Sequence, residues 1–114
     1  MTGKIYRGIK ASPMSEEDFI SHREAQARCS ADGPHGECDC WGLSVWVSED
    51  AVNHARAANG FAKKWYIAAG DVVPEDGVIM ATPTKAQPQH HSFFRDINSD
   101  LKSKFKIVLN PAVQ

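Results

Sequence analysis

The chain has 114 residues, enough for one domain, and its hydrophobic fraction of 42% and charged fraction of 24% are those of ordinary globular proteins. A formal net charge of −1 and an isoelectric point near 6.5 provide no overall field for nucleic acid or an anionic membrane. The N-terminus has no apolar leader, and no apolar stretch is long enough to cross a bilayer. We therefore expect a single compact cytoplasmic domain over residues 1–114, with no nucleic-acid or membrane partner.

A short strand is expected first, over Lys4–Ile9, because β-favouring residues there are bounded by Gly3 and by an Ala-Ser-Pro sequence. Alternation places Arg7 on the same face as Ile5 and Ile9, which is the face that should be buried. A buried guanidinium needs a carboxylate, backbone carbonyls or an anionic ligand. Arg7 is therefore a candidate ligand-binding residue, unless it snorkels at the strand end or pairs with an acid.

The next segment predicts a helix over Glu16–Arg28. Ser15 suits its N-cap, and the three acidic residues that follow suit the positive end of a helix. A thin apolar stripe that includes Phe19 and Ile20 indicates that this helix packs one side on a sheet.

All three cysteines lie in a loop expected over Cys29–Cys40, and an odd number indicates a reducing compartment rather than a disulfide framework. In number and type, Cys29, His35, Cys38 and Cys40 would satisfy a tetrahedral zinc site. Their spacing differs from the paired ligands of zinc modules. Free, partly buried thiols are therefore favoured over zinc, and no metal site is predicted.

A strand over Leu43–Val47 that leads directly into a helix from Glu49 to about Asn59 is the clearest pattern in the chain. Alternation gives the strand one aliphatic face and one face that carries Ser44 and Trp46. Ser48 is placed to cap the helix through its side-chain oxygen.

Further elements are expected in the C-terminal half, and lysines around the last of them suit an edge strand protected from pairing with another chain. We expect a strand over Trp65–Ala69, two valine-rich runs around a turn at Pro74–Gly77, a surface loop over Pro83–His91, a helical or turn segment near Ser99–Lys102 and a strand over Phe105–Leu109.

Two adjacent histidines, His90 and His91, end the expected loop beside two phenylalanines, where an imidazole could be exposed next to an apolar pocket. One hypothesis pairs Ser44 or a cysteine, as nucleophile, with one of these histidines and with an acid such as Asp96. No Gly-x-Ser-x-Gly elbow or phosphate loop supports a hydrolase or a nucleotide triphosphatase. The alternative is an exposed polar loop with no chemical role.

Several short pieces lie along most of the chain in a fixed order. They are Tyr-Arg-Gly at 6–8, Asp-Phe at 18–19, GLSVW at 42–46 before an alanine-rich helix, WYIAAGDV at 65–72 and the two histidines at 90–91. In these pieces the chain resembles a group of short bacterial proteins without an assigned activity.

In layout the chain also resembles ADP-ribosyltransferase-like folds, in which an Arg or His on the first strand and a Ser or Tyr after a middle strand hold NAD and a late Glu is catalytic. The resemblance implies that Arg7 and either Ser44 or Ser48 hold NAD here. The chain departs from that layout because its last glutamate is Glu75.

Together these patterns predict an α+β fold, with about five strands in one mostly antiparallel twisted sheet and two helices packed on one face. The two helices are too thin to cover all of the large aromatic side chains, and uncovered aromatic surface marks a ligand or partner site. These aromatic residues are Trp41, Trp46, Trp65, Tyr66, Phe93 and Phe94. We expect a small binding or protein-interaction domain, a homodimer, with a cleft lined by aromatic and polar residues. The alternative is an ADP-ribosyltransferase-like NAD-binding enzyme or toxin. The predicted ligand-binding residues are Arg7, Ser44, Trp46, His90 and His91, while no catalytic residue, cofactor or individual partner is identified.

Overall fold

The computed structural model describes residues 3–21, 41–58, 62–83, 85, 87–96 and 98–111. These residues contain six strands and one α-helix. The elements are β1 (Gly3–Ile9), β2 (Leu43–Val45), α1 (Glu49–Ala58), β3 (Tyr66–Val72), β4 (Gly77–Ala81), β5 (His91–Arg95) and β6 (Phe105–Leu109). Short 3₁₀ turns occur at Glu16–Phe19, Ala62–Lys64, Pro74–Asp76 and Lys102–Lys104.

The strands form two three-stranded sheets, where the sequence predicts one sheet of about five strands. The first sheet has the order β1-β3-β6 and the second has the order β2-β5-β4. Every pairing is antiparallel, so the α+β class and the antiparallel pairing are confirmed. The sheets meet at Tyr6 and Trp46, whose backbones exchange hydrogen bonds of 2.8 and 2.9 Å.

Two apolar clusters cover the two faces of the first sheet. The larger lies between the sheets and consists of Ile5, Ile9, Phe19, Leu43, Val45, Ala68, Val72, Phe93, Leu101 and Phe105. On the opposite face, α1 packs Ala51, Val52 and Ala55 against Trp46 and Ile67. The second sheet therefore covers the face that the sequence analysis leaves open.

The capping role of Ser48 is confirmed, since its Oγ accepts a hydrogen bond of 3.0 Å from the amide of Ala51 at the start of α1. Near the end of α1, Arg56 is only 7% exposed. Its Nη2 donates to the carbonyl of Asn110 at 2.6 Å, which ties the helix to the end of β6. No helix among the described residues is long and apolar enough to cross a membrane.

The helix predicted over Glu16–Arg28 is wrong at its start. Residues 16–19 form one 3₁₀ turn, and Ile20 returns to an extended conformation with φ −115° and ψ 148°. The Asp18 carboxylate accepts a 2.8 Å hydrogen bond from the amide of Ser15, so this turn is closed by its own side chain. Residues 22–28 of the predicted helix lie outside the described part of the chain.

Several strand boundaries differ from the prediction. β1 begins at Gly3, and the central strand ends at Val45 and leaves Trp46 as an isolated bridge. The strand predicted over Trp65–Ala69 is β3, which begins after Trp65 and continues to Val72. His91, predicted as loop, begins β5, a strand that the sequence analysis does not identify because its consecutive phenylalanines break the alternation. The last strand lies at the edge of the first sheet, as predicted.

A buried carboxylate, Asp76, connects the β3–β4 turn to the C-terminal segment. It is 5% exposed and accepts hydrogen bonds from the Val73 amide at 2.9 Å, from Ser99 Oγ at 2.8 Å and from Lys104 Nζ. Burial alone would raise the pKa of Asp76, but the hydrogen bonds from Lys104, Val73 and Ser99 outweigh it and hold the pKa below its ordinary value.

We expect Asp76→Asn to lower the free energy of unfolding by about 2 kcal/mol, because a carboxylate that accepts three hydrogen bonds is replaced by a neutral amide. The lowered pKa of the folded state means that this stabilisation is present above about pH 4, the ordinary value for aspartate, and is lost as the pH falls through the folded pKa. Urea unfolding at pH 7 and pH 3 measures both effects. The neighbouring exposed variant Glu75→Gln is the control, and a difference between wild type and Asp76→Asn that is the same at both pH values would contradict this account.

Candidate functional site

A cleft of about 430 Å³ opens beside the Tyr6–Trp46 bridge, and its volume is typical of small-molecule sites. The end of β1, the 3₁₀ turn at residues 16–19 with the residues after it, and β2 supply its walls. Its lining includes the cations Arg7 and Lys10, the acids Glu17 and Asp18, the hydroxyl of Ser44 and the indoles of Trp46 and Trp65.

Arg7 lies on the face of β1 that points between the sheets, as predicted, and backbone carbonyls are its partners. Its Nε donates to Asp18 O at 2.6 Å and its Nη1 donates to Ser44 O at 2.8 Å. Burial lowers the pKa of Arg7 to about 10, while the Asp18 carboxylate opposes that shift, so the guanidinium stays charged at neutral pH. Among the described residues none is a hydrogen-bond partner for Nη2, which leaves donor capacity toward the cleft.

The aromatic wall of the cleft depends on Gly8. A Cβ at that position would overlap the indole ring of Trp65, so the ring lies directly against the β1 backbone, one residue from Arg7. Trp65 is half-buried, whereas Trp46 is only 2% exposed. The expectation of an uncovered Trp46 is therefore wrong, because α1 covers this residue and its ring centroid lies 5.9 Å from that of Trp65.

Ser44 and His90 form a hydrogen-bonded pair at the second sheet. Ser44 Oγ lies 2.9 Å from His90 Nε2, and His90 Nδ1 lies 2.8 Å from Thr82 Oγ1 and 3.1 Å from Thr82 O. Thr82 Oγ1 continues to Ser92 Oγ at 2.8 Å. One series of hydrogen bonds thus connects four polar side chains. They come from β2, from the residue before β5, from the residue after β4 and from β5 itself.

Four of the five predicted ligand-binding residues come together in the structure. Arg7 donates to the carbonyl of Ser44, Ser44 contacts His90, and the ring of His90 meets that of Trp46 edge-on with centroids 5.6 Å apart. His91 does not join them. It pairs with Val45, on the opposite face of the second sheet from Ser44, and its Nδ1 lies 3.0 Å from Gln89 O.

Trp65, Gly8 and Thr82 belong to the site although the sequence analysis does not single them out as site residues. The sequence signal for Gly8 is a glycine within a strand, which often marks a close approach of another group to the backbone. Nothing local in the sequence indicates that Thr82 contacts His90. Asp96, considered as the acid of a triad, instead accepts from the Asn98 amide at 2.8 Å, while Thr82 occupies Nδ1 of His90.

Two acidic residues lie at the cleft, but the described residues form no metal site. Glu17 and Asp18 line the cleft, and the carboxylate of Asp18 is bonded to Ser15. No group of three His, Cys, Asp or Glu side chains in the described ranges is positioned to hold a metal ion. The hypothesis of zinc bound by Cys29, His35, Cys38 and Cys40 lies outside those ranges.

Comparison of the chain with protein-family models, with curated proteins and with solved structures finds no match.

We expect Gly8→Ala to destabilise the protein by about 1–3 kcal/mol, the usual cost of overpacking, because the Trp65 indole must leave the β1 backbone. Thermal melting and the emission spectrum of the tryptophans should both change. Gly3→Ala is the matched control on the same strand, since a Cβ there meets nothing within 4 Å. Equal effects of the two substitutions would show that the close approach at Gly8 does not position Trp65.

Proposed function

We propose that the cleft binds NAD, and that this chain is a small ligand-binding domain with an ADP-ribosyltransferase-like layout. The observation that carries the proposal is the Arg7 guanidinium, which is held by two backbone carbonyls and keeps Nη2 without a described partner beside the cleft. A partly buried cation without a paired carboxylate is suited to an anionic ligand.

The chemistry of NAD matches the groups that surround Arg7. Its pyrophosphate accepts hydrogen bonds, which a guanidinium donates in a fixed planar geometry. Its rings are planar, and Trp65 offers an indole wall one residue from Arg7. Ser44, the residue that the resemblance pairs with Arg7, lies within the same cleft and supplies a hydroxyl. The alternative of Ser48 is less suited, since its Oγ caps α1.

We expect wild-type protein to bind NAD saturably and Arg7→Gln to bind it at least 10-fold more weakly, because a charged hydrogen bond contributes about 1.5–3 kcal/mol. Isothermal titration calorimetry measures the affinity. Lys4→Gln removes the same charge from the exposed far end of β1 and should bind like the wild type.

Two results would contradict NAD binding. One is the absence of any thermal shift of the wild type at millimolar NAD. The other is an equal loss of affinity in Arg7→Gln and Lys4→Gln, which would indicate a general effect of charge instead of a contact in the cleft.

A second candidate function is transfer of ADP-ribose from NAD, and Glu17 is the observation that favours it. The ADP-ribosyltransferase-like layout requires a catalytic carboxylate from a late glutamate, and the last glutamate of this chain is Glu75. Glu17 lies in the cleft lining, and no described residue forms a hydrogen bond or an ion pair with it. We propose that this early glutamate takes the place of the late one. The bond between nicotinamide and ribose would break, and water or a nucleophile on an acceptor molecule would bond to the ribose carbon.

We expect Glu17→Gln to lower the rate of nicotinamide release from NAD by at least about 10²-fold, a typical effect of a general acid or base, while NAD affinity changes little. Chromatography of the released nicotinamide provides the rate. Glu16→Gln is the matched control, because Glu16 lines a separate smaller cavity. Nicotinamide release at the wild-type rate by Glu17→Gln would remove Glu17 from the chemistry but leave NAD binding intact.

Homodimerisation and a protein partner stay predictions. A surface that supports them is β4, which lies at the edge of the second sheet and exposes Val78 by 59% and Met80 by 39%. The strand carries no charged residue, and uncharged exposed edges favour pairing with another chain. A second copy of this chain is the partner that we propose for that edge.

A further inference from the structure

We propose that Ser44 is a nucleophile toward small carboxylic esters, with His90 as its general base. The observation behind this proposal is the 2.9 Å contact between Ser44 Oγ and His90 Nε2, made at a residue that lines the cleft. A serine hydroxyl bonded to a histidine that is itself held by a third group is the arrangement that activates serine nucleophiles.

The contacts of His90 indicate which of its nitrogens carries the proton. Thr82 O lies 3.1 Å from Nδ1, and a backbone carbonyl can only accept a hydrogen bond. The proton therefore belongs on Nδ1. In the neutral imidazole Nε2 is then an acceptor for the hydroxyl of Ser44, which is the protonation state required of a general base.

The imidazole is fixed on more than one side. Thr82 Oγ1 lies 2.8 Å from Nδ1 and is held in turn by Ser92 Oγ. The edge-on contact with Trp46 places a buried indole against the ring. Since Trp46 and Ser92 are each 2% exposed, the groups that orient His90 are themselves immobilised by packing, as precise positioning of a base requires.

Arg7 supplies positive charge next to the nucleophile. Its Nη1 donates to the carbonyl of Ser44 itself, so the guanidinium lies within one residue of the reacting oxygen, and Nη2 keeps donor capacity toward the cleft. A fixed cation beside a developing oxyanion lowers the barrier most effectively where water is partly excluded. The cleft thus presents a nucleophile and a cation in adjacent positions, and the base contacts the nucleophile from beside the cleft.

The reaction has two steps. Ser44 Oγ bonds to the ester carbonyl carbon as its proton passes to His90 Nε2; the bond to the alcohol oxygen then breaks, and that oxygen takes the proton from Nε2. In the second step a water oxygen bonds to the acyl carbon as one of its protons passes to His90 Nε2. The bond to Ser44 Oγ then breaks, Oγ takes that proton, and the carboxylic acid is released. Water is the only co-reactant.

This activity is independent of NAD. If NAD fails to bind, the Ser44–His90 pair is still expected to react with esters and with serine-directed phosphonates. If the pair fails to react, the case for NAD at Arg7 is unchanged.

The full-length chain is incubated with a fluorophosphonate, and intact-mass and fragmentation mass spectrometry locate the adduct. We expect one adduct per chain, on Ser44, and turnover of p-nitrophenyl acetate by the unlabelled protein. Both signals should be absent from Ser44→Ala and from the wild type unfolded in urea. In His90→Gln, whose side chain cannot take the proton, labelling should slow by at least about 10²-fold.

Ser103→Ala is the control, since Ser103 is exposed and its hydroxyl donates to a backbone carbonyl, that of Asp100. It should react like the wild type. The proposal is overturned if the folded wild type forms no adduct, if the adduct lies on another residue, or if His90→Gln, with an unchanged melting curve, is labelled at the wild-type rate. Should His90→Gln not fold, loss of the adduct in urea still decides whether the folded pair activates Ser44.

Discussion

The two backbone hydrogen bonds between Tyr6 and Trp46 determine how the rest of the molecule is arranged. They join β1 of the first sheet to the end of β2 in the second, so that an arginine and a serine far apart in sequence become neighbours. Trp46 belongs to the apolar cluster under α1, and Tyr6 packs against that cluster. Their chain neighbours Ile5 and Val45 belong to the cluster between the sheets. The cleft lies where the two sheets diverge from it.

Sequence reasoning succeeds where a local pattern has a local cause. The cap of α1 follows from a hydroxyl placed three residues before an amide, and Ser48 makes that bond. Arg7 is a stronger case, because alternation places it between two isoleucines and electrostatics then requires partners. The structure supplies them as backbone carbonyls, one of the options that the sequence leaves open.

Sequence reasoning fails where the determining contact is distant. The division into two sheets depends on which strands pair. The alternation of buried and exposed residues along each strand is the same whether the strands form one sheet or two. Thr82 and His90 meet because β4 and β5 pair in antiparallel register, which neither residue indicates by itself. Asp76 is also missed, since a Pro-Glu-Asp-Gly turn is typical of an exposed segment and only the fold reveals that Lys104 and Ser99 reach it. The burial of Trp46 follows from the helix above it.

The junction between the sheets is narrow in hydrogen bonds and wide in apolar contact. β1 and β3 are paired along seven residues each, whereas the described backbone bonds between β1 and Trp46 are two. The angle between the sheets is therefore set mainly by the buried side chains that they share, which include Ile5 and Ile9 on one side and Leu43 and Phe93 on the other. Because Arg7 and Ser44 lie on opposite sides of that junction, the width of the cleft depends on how this shared core is packed.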